Sequence, residues 1–305
     1  MARFEPRLVV VTGAGSGIGR ATAEHFARSG STVICADIDP SAASETVLRI
    51  TERGGQADAH TLDVADPAAW DQFAESVRTT HGVADVVVNN AGIGMGGPFL
   101  EHTAEDWRRV VDVNLLGVVH GCRVFGAQLA QRHRDQPDQR GYLVNIASAA
   151  AFTPSRLLPA YAATKAAVLM LSESIRAEMA DHGVGVTAIC PGFIATNIYA
   201  ASTLVGGSGA VGGIAQDFFS RFAPGPDLVA RHIAFAIRYG VPVMPVTLGA
   251  WVSYGTYHFA TPLSRLAAKL GNDSGLNRLA DLGNRLLGTP TRPSTTSPRH
   301  ESRTS

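Results

Sequence analysis

The feature that most constrains this chain is an alternation at its amino-terminal end. Short β-branched runs are stopped by polar or glycine turns and separated by stretches of helical character. Leu8-Val-Val-Val11 ends in Thr12-Gly13. Arg20 to Ser29 reads as a helix closed by Gly30, and Thr32 to Ala36 is a second strand ending at Asp37. Ser41 to Arg53 is helical and closed by Gly54-Gly55. Ala57 to Leu62 is a third strand, and Asp66-Pro67 supplies the N-cap and first-turn proline of a further helix. Asp85 to Asn89 is a fourth strand. A continuous apolar run is buried on both faces, and parallel neighbours need a long crossover. Strands spaced by helices therefore predict a doubly wound α/β fold, a parallel sheet covered on both sides.

The rest of the chain continues the pattern. Ala104 to about Arg134 is a long helical region, expected to break near Asn114, and Gln136 to Gln139 is a surface loop. Tyr142 to Ile146 is a strand, Pro159 to Asp181 a helix and Val184 to Ile189 a strand ending at Pro191-Gly192. Asp227 to Tyr239 is helical, and Val241 to Val246 is a last strand interrupted by Pro242 and Pro245.

Chemistry enters at the first turn. Gly13-Ala-Gly15-Ser-Gly17-Ile-Gly19 lies between a strand and a helix. Glycines let backbone approach a pyrophosphate, and the helix N-terminus offers free N–H groups with the positive end of its dipole. Asp37 stands eighteen residues beyond Gly19 at the end of the second strand. That is where a carboxylate would bond ribose hydroxyls. It would repel a 2′-phosphate, and neither Ser16 nor Ile38 supplies a cation, so NAD is expected in preference to NADP.

A second constellation is Tyr161-Ala-Ala-Thr-Lys165. On a helix the phenol and the ammonium lie one turn apart on one face. A cation beside a tyrosine favours the phenolate and lowers a pKa otherwise near ~10. Such a group can protonate a carbonyl oxygen or deprotonate an alcohol.

Composition excludes several classes of function. The 305 residues carry 26 basic and 26 acidic side chains, so neither nucleic acid nor an acidic membrane surface is an expected partner. Cys35, Cys122 and Cys190 are far apart with no metal-ligand spacing, and no metal is expected. The stretch Met1 to Arg7 has no apolar signal region, which reads as cytoplasmic.

Taken together, the motifs resemble the short-chain dehydrogenase/reductase family over roughly residues 6–200. Thr12 to Gly19 is similar to its cofactor turn, in which Gly13, Ser16, Gly17, Ile18 and Gly19 would meet the dinucleotide, with Asp37 and Ile38 at the adenosine end. Asp63-Val64 resembles the adenine-contacting pair. Asn89-Asn-Ala-Gly92 resembles the segment that lines the cofactor with Asn90, Ala91 and Gly92. Pro191-Gly192, Ile194 and Thr196 resemble the nicotinamide segment. The resemblance implies a Rossmann-type fold and four catalytic residues, Asn114, Ser148, Tyr161 and Lys165, with Ser148 thirteen positions before Tyr161. It implies that Tyr161 exchanges the proton while Lys165 lowers its pKa and bonds the nicotinamide ribose. Ser148 would bond the substrate oxygen, and Asn114 would hold a relay water.

Two departures stand out. The Asn114–Ser148 interval is long, with the polar segment Arg132 to Arg140 expected as a surface loop. The C-terminal third also lacks the family's Gly-Gly-rich last strand, with Val241 to Val246 in its place, which leaves the usual tetramer packing open, although a homo-oligomer is expected. The domain reading is a catalytic unit over 1–250, a helical extension over 251–288 and a disordered tail over 289–305. Residues 197–226, rich in glycine, read as a substrate lid. Between Arg238 and Arg265 the sole titratable side chain of possible positive charge is His258. Membrane contact through 241–264 is the lesser reading there, because prolines and glycines interrupt it. Ile93, Met95, Ala150, Phe152, Leu157, Phe193 and Tyr199 are expected around the substrate, together with Ala149 and Leu158. They are nearly all apolar, which suits a lipid-, steroid- or terpenoid-like or aromatic secondary alcohol or ketone. A 3-oxoacyl thioester reductase linked to NADPH and a non-catalytic dinucleotide-binding sensor or scaffold are the alternatives.

Overall fold

The computed structural model describes residues 4–195, 203–205 and 223–260. The expectations for Thr196, Tyr199, most of the lid, the helical extension beyond residue 260 and the carboxyl-terminal tail lie outside these residues. Strands β1 (Leu8–Thr12), β2 (Thr32–Asp37), β3 (Gln56–Thr61), β4 (Val86–Asn89), β6 (Gly141–Ile146), β7 (Val184–Pro191) and β9 (Val243–Val246) form one sheet in the order 3-2-1-4-6-7-9. Every pairing is parallel. A second, two-stranded parallel pair joins β5 (Met95–Gly96) to β8 (Thr203–Leu204).

The apolar runs explain the layers. All five residues of β1 are buried. Val10 packs with Ile34, Val87 and Leu143 on one face, against Trp70, Phe73 and Phe125. Val9 and Val11 pack on the other with Val33, Val86, Phe26 and Ile233. Helices α1 (Gly17–Arg28), α2 (Pro40–Thr51) and α7 (Asp227–Tyr239) and helices α3 (Pro67–His81), α5 (Gly117–Asp135) and α6 (Pro159–Ala180) supply these covers. Asp66 caps α3 as its Asp-Pro pair predicts, and Asp39, followed by Pro40, caps α2 in the same way.

The strand order reverses between β1 and β4, which opens a crevice at their carboxyl ends. The long helical region breaks where expected. Helix α4 (Ala104–Val111) passes through one wider π turn, Asp112–Leu116, into α5, and Asn114 sits in that turn. Single π turns inside α-helices mark functional positions.

Arg132 corrects the reading of 132–140 as surface. The loop begins only after Asp135, and Arg132 lies inside, 2.7 Å from Asp85. Asp85 also accepts the N–H groups of Arg7 (2.7 Å) and Leu8 (3.2 Å), tying the starts of β1 and β4 together. Pro242 and Pro245 are accommodated because β9 is an edge strand, where missing donors cost little. The division at residue 250 falls inside helix α8 (Leu248–Phe259), which packs back on the catalytic unit. The segment from Val243 to Ala260 thus forms a strand, a turn and a helix rather than one apolar span.

Candidate active site

The crevice at the β1–β4 reversal is a cleft of about 590 Å³. It is lined by Gly13, Ser16, Gly17, Ile18, Asp37, Ile38, Asp63, Val64, Asn90, Ala91, Gly92, Ile93, Ser148, Tyr161, Lys165, Pro191, Gly192 and Ile194, so these predicted residues meet there, whereas Asn114 lies buried behind the lining. A larger, more open hollow of about 1030 Å³ lies at the opposite end of the strands, by Arg7, Leu8 and Asp85. It holds none of these groups.

The glycine turn is built from both of the diverging strands. Thr12 Oγ1 accepts the N–H groups of Asn90 and Ala91, each at 3.0 Å, and Asn90 Nδ2 donates to the Thr12 and Gly13 carbonyls at 2.9 and 3.3 Å. Gly13 takes φ +63° and Gly17 φ +50°, the left-handed region that favours glycine. Gly19 packs so closely on the Gly13 carbonyl that a Cβ would overlap it. It therefore supports the turn from behind instead of lining the cleft. Ser16 makes no side-chain cap to α1, so the first-turn N–H groups keep no side-chain acceptor and suit an anionic group.

Asp37 stands at the end of β2, as its position predicts. Its Oδ2 accepts the Gly15 N–H at 2.8 Å and its Oδ1 the Asp39 N–H at 3.0 Å. A carboxylate has further lone pairs that can receive hydroxyls. The nearby Arg20 is already engaged. It donates to the Gly15 carbonyl, to Thr46 Oγ1 at 3.1 Å and to Glu45 at 3.0 Å. Ile38 is 67% exposed beside Asp37, a flat apolar surface at the rim.

Tyr161 lies in the first turn of α6 and Lys165 one turn on. Lys165 is only 3% exposed. Its Nζ donates to the Ile146 carbonyl at 2.9 Å and lies 5.8 Å from the centre of the Tyr161 ring. Burial pulls the ammonium down to about 8, with Cys190 opposing. Burial pushes the Tyr161 hydroxyl up, and the hydrogen bond with Ser148 works against that. The contact that opposes burial at Tyr161 is Ser148, and the Lys165 ammonium is directed at the Ile146 carbonyl.

Ser148 caps a single 3₁₀ turn, Ala149–Ala151, accepting the Ala150 N–H at 3.1 Å. Asn114 is fully buried. Its Oδ1 accepts the Ile93 N–H at 2.8 Å, and its Nδ2 donates to the Ile93 carbonyl at 2.9 Å and to Thr164 Oγ1 at 3.4 Å. Asn114 is thus first a clamp on the backbone after Gly92. A Cβ at Gly92 would lie 3.1 Å from Asn114 Oδ1 and 3.5 Å from Lys165 Nζ, so glycine keeps the space between the two polar groups open.

The expected substrate residues divide. Ile93 lines the cleft, and Leu157 and Phe193 are exposed. Met95 and Phe152 are each 1% exposed and do not line the cleft. Met95 packs with Val110 and Ala160, and Phe152 lies under the rings of α8. Apolar residues near strand ends were expected to face the ligand, and these two are drawn into the core instead. Sequence reasoning also missed Glu105, Arg109, Asp112 and Val113, which enter the lining. Their spacing, i, i+4, i+7 and i+8, was the available signal for one helical face.

A family model described as short chain dehydrogenase matches residues 7–204. The chain is 44% identical over 277 residues to the "Probable oxidoreductase EphD" of Mycobacterium tuberculosis, a match covering 88% of this chain and 45% of that protein. It therefore spans less than half the length of that relative. It is 37% identical to 1-deoxy-11-beta-hydroxypentalenate dehydrogenase of Streptomyces exfoliatus, over 68% of this chain and 74% of the other. Among solved structures, a short chain dehydrogenase/reductase from Burkholderia phymatum in complex with NAD superimposes with TM-score 0.75 at 27% identity, covering 97% of this chain and 100% of that one. A gluconate 5-dehydrogenase from Burkholderia cenocepacia in complex with NADP and tartrate gives 0.70 at 25% identity, covering 82% and 97%.

Proposed function

The chain belongs to the short chain dehydrogenase family of NAD(P)-binding oxidoreductases, and from this premise we propose that it moves a hydride between NAD and an apolar secondary alcohol or ketone, with Tyr161 exchanging the proton. The observation that carries the reading is the convergence of Tyr161, Ser148 and Lys165 on one cleft with the glycine turn and Asp37.

The residues fit a dinucleotide. The turn at Gly13 to Gly17 and the start of α1 would receive the pyrophosphate, Asp37 the adenosine ribose, and the Pro191–Ile194 segment the nicotinamide end. When bound, the nicotinamide supplies or accepts the hydride. The chain's own residues handle the proton. Ser148 holds the substrate oxygen beside the Tyr161 hydroxyl, and Tyr161 gives its proton to a ketone oxygen or takes one from an alcohol. Lys165, held by Ile146 next to the ring, and Asn114, across Gly92, form the polar floor that steadies the charge change.

Among the described residues, the charged side chains that line the cleft are Asp37, Asp63, Glu105 and Asp112 against Arg109 and Lys165. A surplus of carboxylates, with Arg20 already bound to Glu45, disfavours a 2′-phosphate and supports NAD. It counts equally against the NADPH-linked thioester reductase. The apolar side chains at Ile93, Leu157 and Phe193 support an apolar substrate, and a relative named for a hydroxypentalenate fits that class. The test is a panel of apolar secondary alcohols and ketones run with NAD and NADP in parallel. Turnover with NAD well above NADP is expected. Equal efficiency with both would overturn the role of Asp37, and no turnover with either would overturn the enzyme reading.

A further inference from the structure

Helix α8 follows the last strand of the sheet and touches the reaction centre at two separate points. At its start, Thr247 holds φ +102° and ψ 153°, a conformation otherwise occupied almost only by glycine. Surroundings that keep a β-branched residue there must fix it firmly. Thr247 Oγ1 accepts the Ala250 N–H at 3.3 Å and so caps the helix. The same hydroxyl fills the space where a Cβ of Gly192 would stand, and the Gly192 N–H donates to the Val246 carbonyl at 3.0 Å. Gly192 belongs to the nicotinamide side of the cleft.

The second contact lies two turns along α8. Tyr254 meets Phe152 edge to face, with ring centres 5.2 Å apart, and His258 lies tilted against Tyr254 at 4.5 Å. Phe152 ends the 3₁₀ turn that Ser148 begins, and its N–H donates to the Ala149 carbonyl at 3.0 Å. That turn packs on α6 and β7 on one side, and α8 reaches it on another. It is one short turn of three alanines, all partly exposed. Such turns have poor hydrogen-bond geometry of their own. Its one large buried side chain is Phe152, and among the described residues the rings around Phe152 come from α8.

We infer that α8 is a brace across the reaction centre, in which Thr247 supports the Gly192 wall and Tyr254, through Phe152, fixes the turn that carries Ser148. Tyr254 and Phe152 are therefore positioning residues that touch neither reactant. The catalytic consequence rests on the function proposed above, whereas the mechanical one does not. The outward side of the same helix, with Leu248 81% and Val252 57% exposed, takes no part in the brace.

The experiment compares wild type, Tyr254→Ala, Tyr254→Phe and Val252→Ser by amide hydrogen exchange and by steady-state kinetics. In Tyr254→Ala the amides of Ala151 and Phe152 should exchange about tenfold faster, while those of Val9 to Val11 stay as slow as in wild type. Its kcat should fall about tenfold, with the KM for the dinucleotide within about twofold, because small displacements of an orienting group act on rate. Tyr254→Phe keeps the ring and should match wild type in both readouts, as should Val252→Ser. If Tyr254→Ala does not fold, Tyr254→Leu, which keeps apolar volume without a ring, takes its place with the same expectations. Unchanged exchange at Ala151 and Phe152 in a folded variant would overturn the brace. Faster exchange with kcat unchanged would overturn its role in positioning Ser148. A wild type without turnover would overturn the proposed function, and the exchange measurement would still decide the brace.

Discussion

Replacing Lys165 with methionine should make the folded protein more stable at neutral pH. The side chain is 3% exposed, and burial lowers its pKa from the ordinary 10.5 to about 8. Below about 8 both the folded and unfolded chains carry the proton, and the full cost of burying an ammonium is present. Between about 8 and 10.5 the unfolded chain keeps the proton that the folded chain has lost, so stability rises with pH across that window. Above 10.5 the cost has gone. At ~1.4 kcal/mol per pKa unit the cost at pH 7 is roughly 3 kcal/mol. Methionine removes it but leaves the Ile146 carbonyl without the Lys165 donor, a loss of about 1 kcal/mol. The variant should therefore gain about 2 kcal/mol at pH 7 and be about 1 kcal/mol less stable than wild type near pH 11. Urea unfolding of both proteins without cofactor, at several pH values from 7 to 11, reads the difference directly. A variant less stable at pH 7, or an offset that does not change with pH, would refute the reasoning. Loss of turnover in the same variant would mark the lysine as kept for function at a cost in stability.

Other substitutions test other parts of the site. In Gly19→Ala the added methyl meets the Gly13 carbonyl and lies 2.6 Å from Asn90 Nδ2, so the turn must open. Dinucleotide affinity, read by fluorescence titration, should fall at least about tenfold. In Asp37→Ser the preference for NAD over NADP, as a ratio of kcat/KM values, should fall about tenfold or more, because the repelling carboxylate is gone. Asp85→Ala strands Arg132 as a buried unpaired cation and should cost about 3–5 kcal/mol in denaturant unfolding, much of it recovered in the Asp85→Ala/Arg132→Met double variant.

The sheet was legible because β-branched runs such as Leu8-Val-Val-Val11 are buried on both faces, and only a parallel sheet with two covers does that. The cleft was legible because its residues sit at strand ends and helix starts, positions that short motifs define. Asn114 was read as a break, and the break is a π turn that aims its amide at Ile93. What escaped depends on contacts between distant segments. Arg132 reads as part of a polar surface run until β4 places Asp85 beside it, 47 residues away in sequence. Phe152 reads as a substrate contact until α8 covers it. Tyr161 and Lys165 have the expected spacing, but burial, which spacing does not encode, moves their pKa values in opposite directions.

The central claim is that Tyr161 exchanges the proton in a hydride transfer. It is tested most directly by the turnover of Tyr161→Phe with NAD and the best apolar secondary alcohol for the wild type, alongside a dinucleotide binding measurement. The phenylalanine keeps the ring that Lys165 faces and removes only the hydroxyl. A fall in kcat of about 10²–10⁴ with dinucleotide affinity unchanged is the predicted result. A variant that turns over at the wild-type rate would contradict the mechanism.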